Sequence, residues 1–144
     1  MKRIATFTRM SRKLLCLPLL LAGLLGLPAG AAVAAGIDGA WATNASACKQ
    51  VFTKKGKDIV LARDADFYGS GFVIDGSIVR GKMATCKVMS RKEEGTTIKF
   101  SASCATEISI SKNEFELKII DDNKVMRSFP NFPEMDTPFY RCKL

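Results

Sequence analysis

Cysteine is the residue here best placed to do chemistry. Cys48, Cys86, Cys104 and Cys142 stand in the body of the chain, and Cys16 lies near its start. Cys86 falls nine residues before Gly95 and Cys104 nine after it. Such a pair could form a redox site, half of a metal site, or a staple across a hairpin. No CxxC spacing occurs, so a thioredoxin-like motif is missing. A four-cysteine zinc site shows two close pairs, whereas the gaps here are 38, 18 and 38 residues. Structural disulfides are the remaining reading, and counting alone leaves three connectivities.

Other reactive groups are sparse. The chain has no histidine, which removes Ser-His and Cys-His activation of a nucleophile. The carboxylate pairs Glu93-Glu94 and Asp121-Asp122 fall at expected turn tips, in water, the wrong setting for a raised pKa. No catalytic residue is assigned, and the chain is not expected to be an enzyme. Asp64, Asp66, Gly69 and Asp75 fit positions 1, 3, 6 and 12 of an EF-hand-like calcium loop. Tyr68 stands where an oxygen ligand is wanted, Gly71 replaces an apolar residue, and no flanking helices are expected. The stretch therefore reads as a polar connection, with no metal and no cofactor. Lys54, Lys55 and Lys57 mark a hairpin tip whose lysines are ordinarily solvated; contact with anionic lipid or polysaccharide is the functional alternative.

One loop is unusual. SFPNFPEMDTPFY, Ser128 to Tyr140, is stiffened by three prolines and carries Phe129, Phe132, Phe139 and Tyr140. These four are the candidate binding residues, since an ordered aromatic loop can present a recognition surface. The alternative is that they fold back over the end of the domain.

The first residues decide where these groups work. Lys2, Arg3, Arg9, Arg12 and Lys13 form a positive region without acids, an apolar run follows to Ala34, and Ala32-Val33-Ala34 suits signal peptidase. Residues 1–34 read as a signal peptide and 35–144 as a single domain. Removing 34 of 144 residues leaves 110 and discards five of 22 basic residues but none of 14 acidic ones. The net charge falls from +8 to +3, which does not suggest nucleic-acid binding. Four cysteines in a small exported domain fit an oxidising compartment, periplasmic or extracellular.

From Gly36 onward the dominant pattern has period two. Ile98, Phe100, Ala102 and Cys104 share one face and polar residues the other, as in half-buried antiparallel strands. Turn signals at Lys55-Gly56, Asp75-Gly76, Glu94-Gly95, Lys112-Asn113 and Asp122-Asn123 divide a meander of about seven to nine strands. One short helix is expected at Asn44 to Val51. The fold class is all-β, a small antiparallel up-and-down β-barrel, because a meander must close or sandwich its edges.

Gly39-Ala40-Trp41 on the first strand and Arg141 on the last resemble the lipocalins and wider calycin-like barrels. That resemblance implies barrel-end packing, with Trp41 plugging one end and Arg141 lying over its ring. Gly39, Trp41 and Cys48 are also similar to the start of small secreted bacterial protease inhibitors of calycin-like fold. This likeness covers ten residues. Only Ala35 to Asp38 precede Gly39, where those inhibitors have an N-terminal arm, and they carry one disulfide where this chain has cysteines for two. The likeness therefore bears on the fold more than on inhibition.

With Gly95 as the turn centre, Cys86 faces Cys104, Val88 faces Ala102 and Ser90 faces Phe100. Register and apolar pattern agree on a Cys86–Cys104 disulfide, which leaves Cys48 with Cys142 to tie the first strand region to the last. The expected function is an exported bacterial envelope binding module without catalysis, binding or inhibiting an envelope or extracellular protein through the aromatic loop. The alternatives are a carrier of a small apolar ligand, of lipocalin type, and a structural envelope protein. Bulky Phe100, Phe115, Leu117 and Ile119 would fill a small barrel, whereas an apolar cavity of several hundred Å³ would favour the carrier. No nucleic acid and no stable membrane insertion after signal cleavage are expected, and the domain is read as a monomer or weak oligomer.

Overall fold

The computed structural model describes residues 36–144; the expected signal peptide lies outside the described residues. Strand β1 (Gly39–Ala42) leads into a 3-10 turn at Ala45–Ala47 and helix α1 (Cys48–Val51). The Asn44 side chain accepts a hydrogen bond from the Ser46 N–H at 3.0 Å, giving a partner to a donor that a helical start leaves free. Strands β2 (Phe52–Lys55) and β3 (Asp58–Leu61) form a separate hairpin. Its turn uses Gly56 at φ +66°, a conformation glycine adopts without steric cost.

Seven more strands follow: β4 (Gly71–Asp75), β5 (Ile78–Arg80), β6 (Thr85–Glu94), β7 (Thr97–Ala105), β8 (Ile110–Asp121), β9 (Lys124–Ser128) and β10 (Thr137–Cys142). With β1 they close an antiparallel barrel of eight strands, in the order β1-β10-β9-β8-β7-β6-β5-β4. Strand β1 closes it by pairing with β10 on one side and β4 on the other. The expected antiparallel barrel with one short helix is the architecture found.

Two expectations about turns need correction. Lys112-Asn113 is not a reversal. Strand β8 runs through it, and the chain turns at Thr106–Ser109, where the Thr106 N–H donates to the Ser109 carbonyl at 2.9 Å. The β6–β7 hairpin also departs from a uniform register. Cys86 faces Cys104 and Val88 faces Ala102, but a bulge at Met89 makes Ser90 face Ser101 and Arg91 face Phe100. The turn is centred between Gly95 and Thr96, half a residue beyond Gly95, and the bulge offsets that shift. From Ser90 to Glu94 both faces of β6 are polar, so no apolar pattern specifies the register there.

Antiparallel succession gives the barrel two different ends. Turns at Asp75-Gly76, Gly95-Thr96 and Asp122-Asn123 lie at one end with the start of β1. The connections 43–70, 81–84, 106–109 and 129–136 lie at the other.

Two apolar layers result. Inside the barrel, Ile37, Ile74, Ile98, Phe100 and Leu117 form one cluster, and Trp41, Val125 and Phe139 another. Outside it, Ala40, Ala42 and Val73 are covered by Ala47, Val51, Phe52 and Ala65 from the 43–70 excursion. Gly71 permits this close cover, because an added Cβ would lie 2.8 Å from the Phe52 ring and 2.9 Å from the Trp41 carbonyl oxygen. Disulfide Cys48–Cys142 fastens the cover to the last strand, with Cα atoms 5.6 Å apart. Disulfide Cys86–Cys104 ties β6 to β7, with Cα atoms 3.9 Å apart. Cys86–Cys104 is the pairing the register implies, and Cys48–Cys142 the one that then remains.

Candidate functional site

The end of the barrel where β1 begins is shut. Trp41 is fully buried, and its indole N–H donates to the Ile37 carbonyl at 2.8 Å. The Arg141 guanidinium carbon lies 4.2 Å from the indole centroid. Its Nε donates to the Asp122 carbonyl at 2.7 Å, and its two terminal nitrogens donate to Asp38 and Gly36 at 2.7 and 2.9 Å.

The opposite end is open. A cavity of about 440 Å³ enters between the connections and reaches down to Ile74 and Leu117. Its walls are Phe72, Val79, Phe115 and Phe139, together with the Cys86–Cys104 disulfide. Strand alternation places them: Phe115 and Leu117 oppose Phe100 and Ile98 across β7–β8, so all four point inward. Phe139 packs its ring 4.8 Å from that of Phe72, closing one flank. Bulky side chains thus fill the shut half of the barrel and leave the open half hollow.

Polar groups gather at the mouth. Lys82 donates to the Arg63 carbonyl at 2.9 Å and is ion-paired with Asp66. Arg127, on β9, opposes Leu117 and Thr137 and lines the cavity. Its guanidinium carbon lies 4.8 Å from the Phe129 ring centroid, and among the described residues no carboxylate forms an ion pair with it. A positive group beside an apolar shaft can orient an anionic head whose body enters the barrel. A second depression of about 440 Å³ lies along β7 and β8, with Lys92, Lys99, Glu114 and Glu116 on its surface. Arg127 also lines it, and Lys99 lies 2.9 Å from Glu94 and 4.0 Å from Glu116.

The four aromatics of the Ser128–Tyr140 stretch are not brought together. Phe139 and Tyr140 belong to β10, and Phe139 is a core residue, 4 % exposed. It faces the barrel interior and walls the cavity, away from the loop surface expected for it. Tyr140 lies on the outer face with the Lys124 ammonium 5.6 Å from its ring. Phe129 is half-buried beside Arg127, and only Phe132 is exposed. The loop prolines suggested one stiff unit, but the alternation of β10 turns Phe139 inward and Tyr140 outward.

The remaining candidates have structural partners. Asp75 ends β4 and pairs with Arg80 at 3.3 Å, while Asp66 pairs with Lys82. Among the described residues no group of three or more His, Cys, Asp or Glu side chains is placed to hold a metal ion. Glu94 takes hydrogen bonds from Lys92 and Lys99, which lower its pKa to about 2, so it holds no proton to give near neutral pH. Asp121 accepts from the Asn123 N–H at 2.7 Å, shaping the β8–β9 turn. Lys54, Lys55 and Lys57 are exposed on the β2–β3 hairpin. The cavity group Phe72, Lys82 and Arg127 was not singled out from sequence. The alternation of Phe115, Leu117 and Ile119 marks an interior face without saying whether that interior is full.

No protein-family model matches the chain, and no curated protein or solved structure does either. The class is therefore defined by fold and site alone. It is a disulfide-stapled, eight-stranded antiparallel barrel, shut at one end and open to an apolar cavity at the other.

Proposed function

We propose that the barrel binds a small amphipathic molecule, its apolar body in the cavity and an anionic head at Arg127. The observation that carries this reading is the half-open cavity of about 440 Å³ between Phe72, Phe115, Leu117 and Phe139, within the range on the order of 300–1,000 Å³ usual for small-molecule sites. It favours the carrier over a binding module built on the aromatic loop, whose Phe139 is buried. The two disulfides are compatible with work in the periplasm or outside the cell. Among the described residues no helix is long and apolar enough to cross a membrane.

Fluorescence titration with a dansyl-labelled undecanoic acid tests the proposal. One saturable site is expected. Arg127→Ala should weaken it about tenfold, the scale of a lost charge-assisted hydrogen bond. Ala84→Trp, which places an indole at the mouth, should abolish it. Saturable binding unchanged in both variants would remove the cavity from the account.

A further inference from the structure

The exposed apolar side chains are concentrated at the open end. Of ten large ones exposed among the described residues, seven lie on or beside its four connections. Phe67 and Tyr68 belong to the 43–70 excursion and Met83 to 81–84. Ile108 and Ile110 flank the β7–β8 turn, and Phe132 and Met135 sit on 129–136. Phe67 is 89 % exposed and Ile108 95 %. Apolar groups gathered in this way mark a surface that meets something apolar.

Charge and shape narrow the partner. The connections 43–70, 81–84, 106–109 and 129–136 carry six basic side chains against six acidic ones, no net charge. Such a rim is not drawn to an anionic surface. The apolar groups also form a ring around an opening, so the contact lacks the buried central cluster on which protein interfaces depend. A fluid apolar surface needs no such centre, because it conforms to the ring.

We infer that the open rim docks reversibly on a zwitterionic lipid bilayer. Its apolar side chains enter among the headgroups, and the cavity mouth meets the lipid phase from which an amphipathic ligand is taken. The inference rests on the ligand-binding reading and adds to it the source of the ligand.

Vesicle flotation of the barrel, residues 35–144, tests this. The described residues 36–144 carry their own cores and both disulfides. Binding to pure phosphatidylcholine vesicles is expected to persist in 1 M salt and to change little when phosphatidylglycerol is added. Phe67→Ser with Ile108→Ser should lower the partition coefficient about tenfold, since each removes apolar contact without disturbing a core. Arg127→Ala and the triple variant Lys54→Ala, Lys55→Ala, Lys57→Ala should float like the unaltered protein. Failure to float would overturn the inference. So would flotation confined to anionic vesicles, loss of flotation in the triple lysine variant, or undiminished flotation of the double serine variant. A rim that instead self-associates, with the double serine variant monomeric and no vesicle binding, would assign the surface to a protein partner. Dansyl-acid binding without flotation would sink docking alone, whereas flotation without dansyl-acid binding would sink the ligand reading alone.

Discussion

Arg141 caps Trp41 from the last strand, its guanidinium carbon 4.2 Å from the indole centroid, while donating to three backbone carbonyls. Two of those carbonyls, of Gly36 and Asp38, belong to the segment entering β1, and the third belongs to the β8–β9 turn. One planar cation therefore holds three chain segments over one ring. Arg141→Ala should destabilise the barrel by about 3 kcal/mol, combining lost cation–π energy with lost charge-assisted hydrogen bonds. Arg141→Lys should recover less than half, since an ammonium cannot reproduce the planar fork. Urea unfolding with an unchanged m-value would measure both.

The disulfides differ in reach. Cys48–Cys142 spans 94 residues and Cys86–Cys104 spans 18. Constraint of the unfolded chain predicts losses of about 4.7 kcal/mol for replacing the first pair and about 3 kcal/mol for the second. Paired Cys→Ala variants in chemical denaturation check that order. The long-range pair should matter more, because it also fastens the outer cover to β10.

Gly71 is required by contact rather than by a turn. A methyl group there meets the Phe52 ring, the Val51 side chain and the Trp41 carbonyl at 2.8 to 2.9 Å. Gly71→Ala should cost about 2 kcal/mol through overpacking. Gly81→Ala, whose nearest neighbour would be 3.6 Å away, should change stability far less.

Glu94 gives the pH dependence a sign. Hydrogen bonds from Lys92 and Lys99, then their charges, lower its pKa from 4.5 to about 2. A depressed carboxylate pKa stabilises the fold above about 4.5, and that contribution is lost as pH falls through about 2. The group is fully exposed, so the effect on stability is small and screened by salt. A side-chain carboxyl NMR titration should show a midpoint near 2 at low ionic strength. Lys99→Met or high salt should move that midpoint upward.

Much of the fold is legible in the chain, for identifiable reasons. Apolar alternation in Ile98–Cys104 and glycines 56, 76 and 95 at three hairpin turns define strands and reversals directly. The bulge at Met89 is hidden because Ser90 to Glu94 are polar on both faces, so nothing in the pattern opposes a one-residue shift. The run through Lys112-Asn113 is misread for a similar reason: Ser111 to Glu114 are all exposed within a strand, and polar residues resemble a turn.

The site is less legible. Spacing shows that Phe115 and Leu117 face inward, but not that the cavity opens beside them, since volume depends on eight strands meeting. Phe129, Phe132, Phe139 and Tyr140 are close in sequence, yet β10 pairing sends Phe139 into the core and Tyr140 to the outer face. Arg127 stands out only once its register places it opposite Leu117, facing the barrel interior.

The central claim is that an amphipathic ligand occupies the open half of the barrel, and methyl NMR with an unlabelled medium-chain fatty acid tests it most directly. The account predicts saturable shifts at Ile74, Val79 and Leu117, which line the cavity, with Val51 and Ile59 of the outer layer unmoved. Shifts confined to the outer layer, or none at Leu117 at saturating ligand, would contradict it.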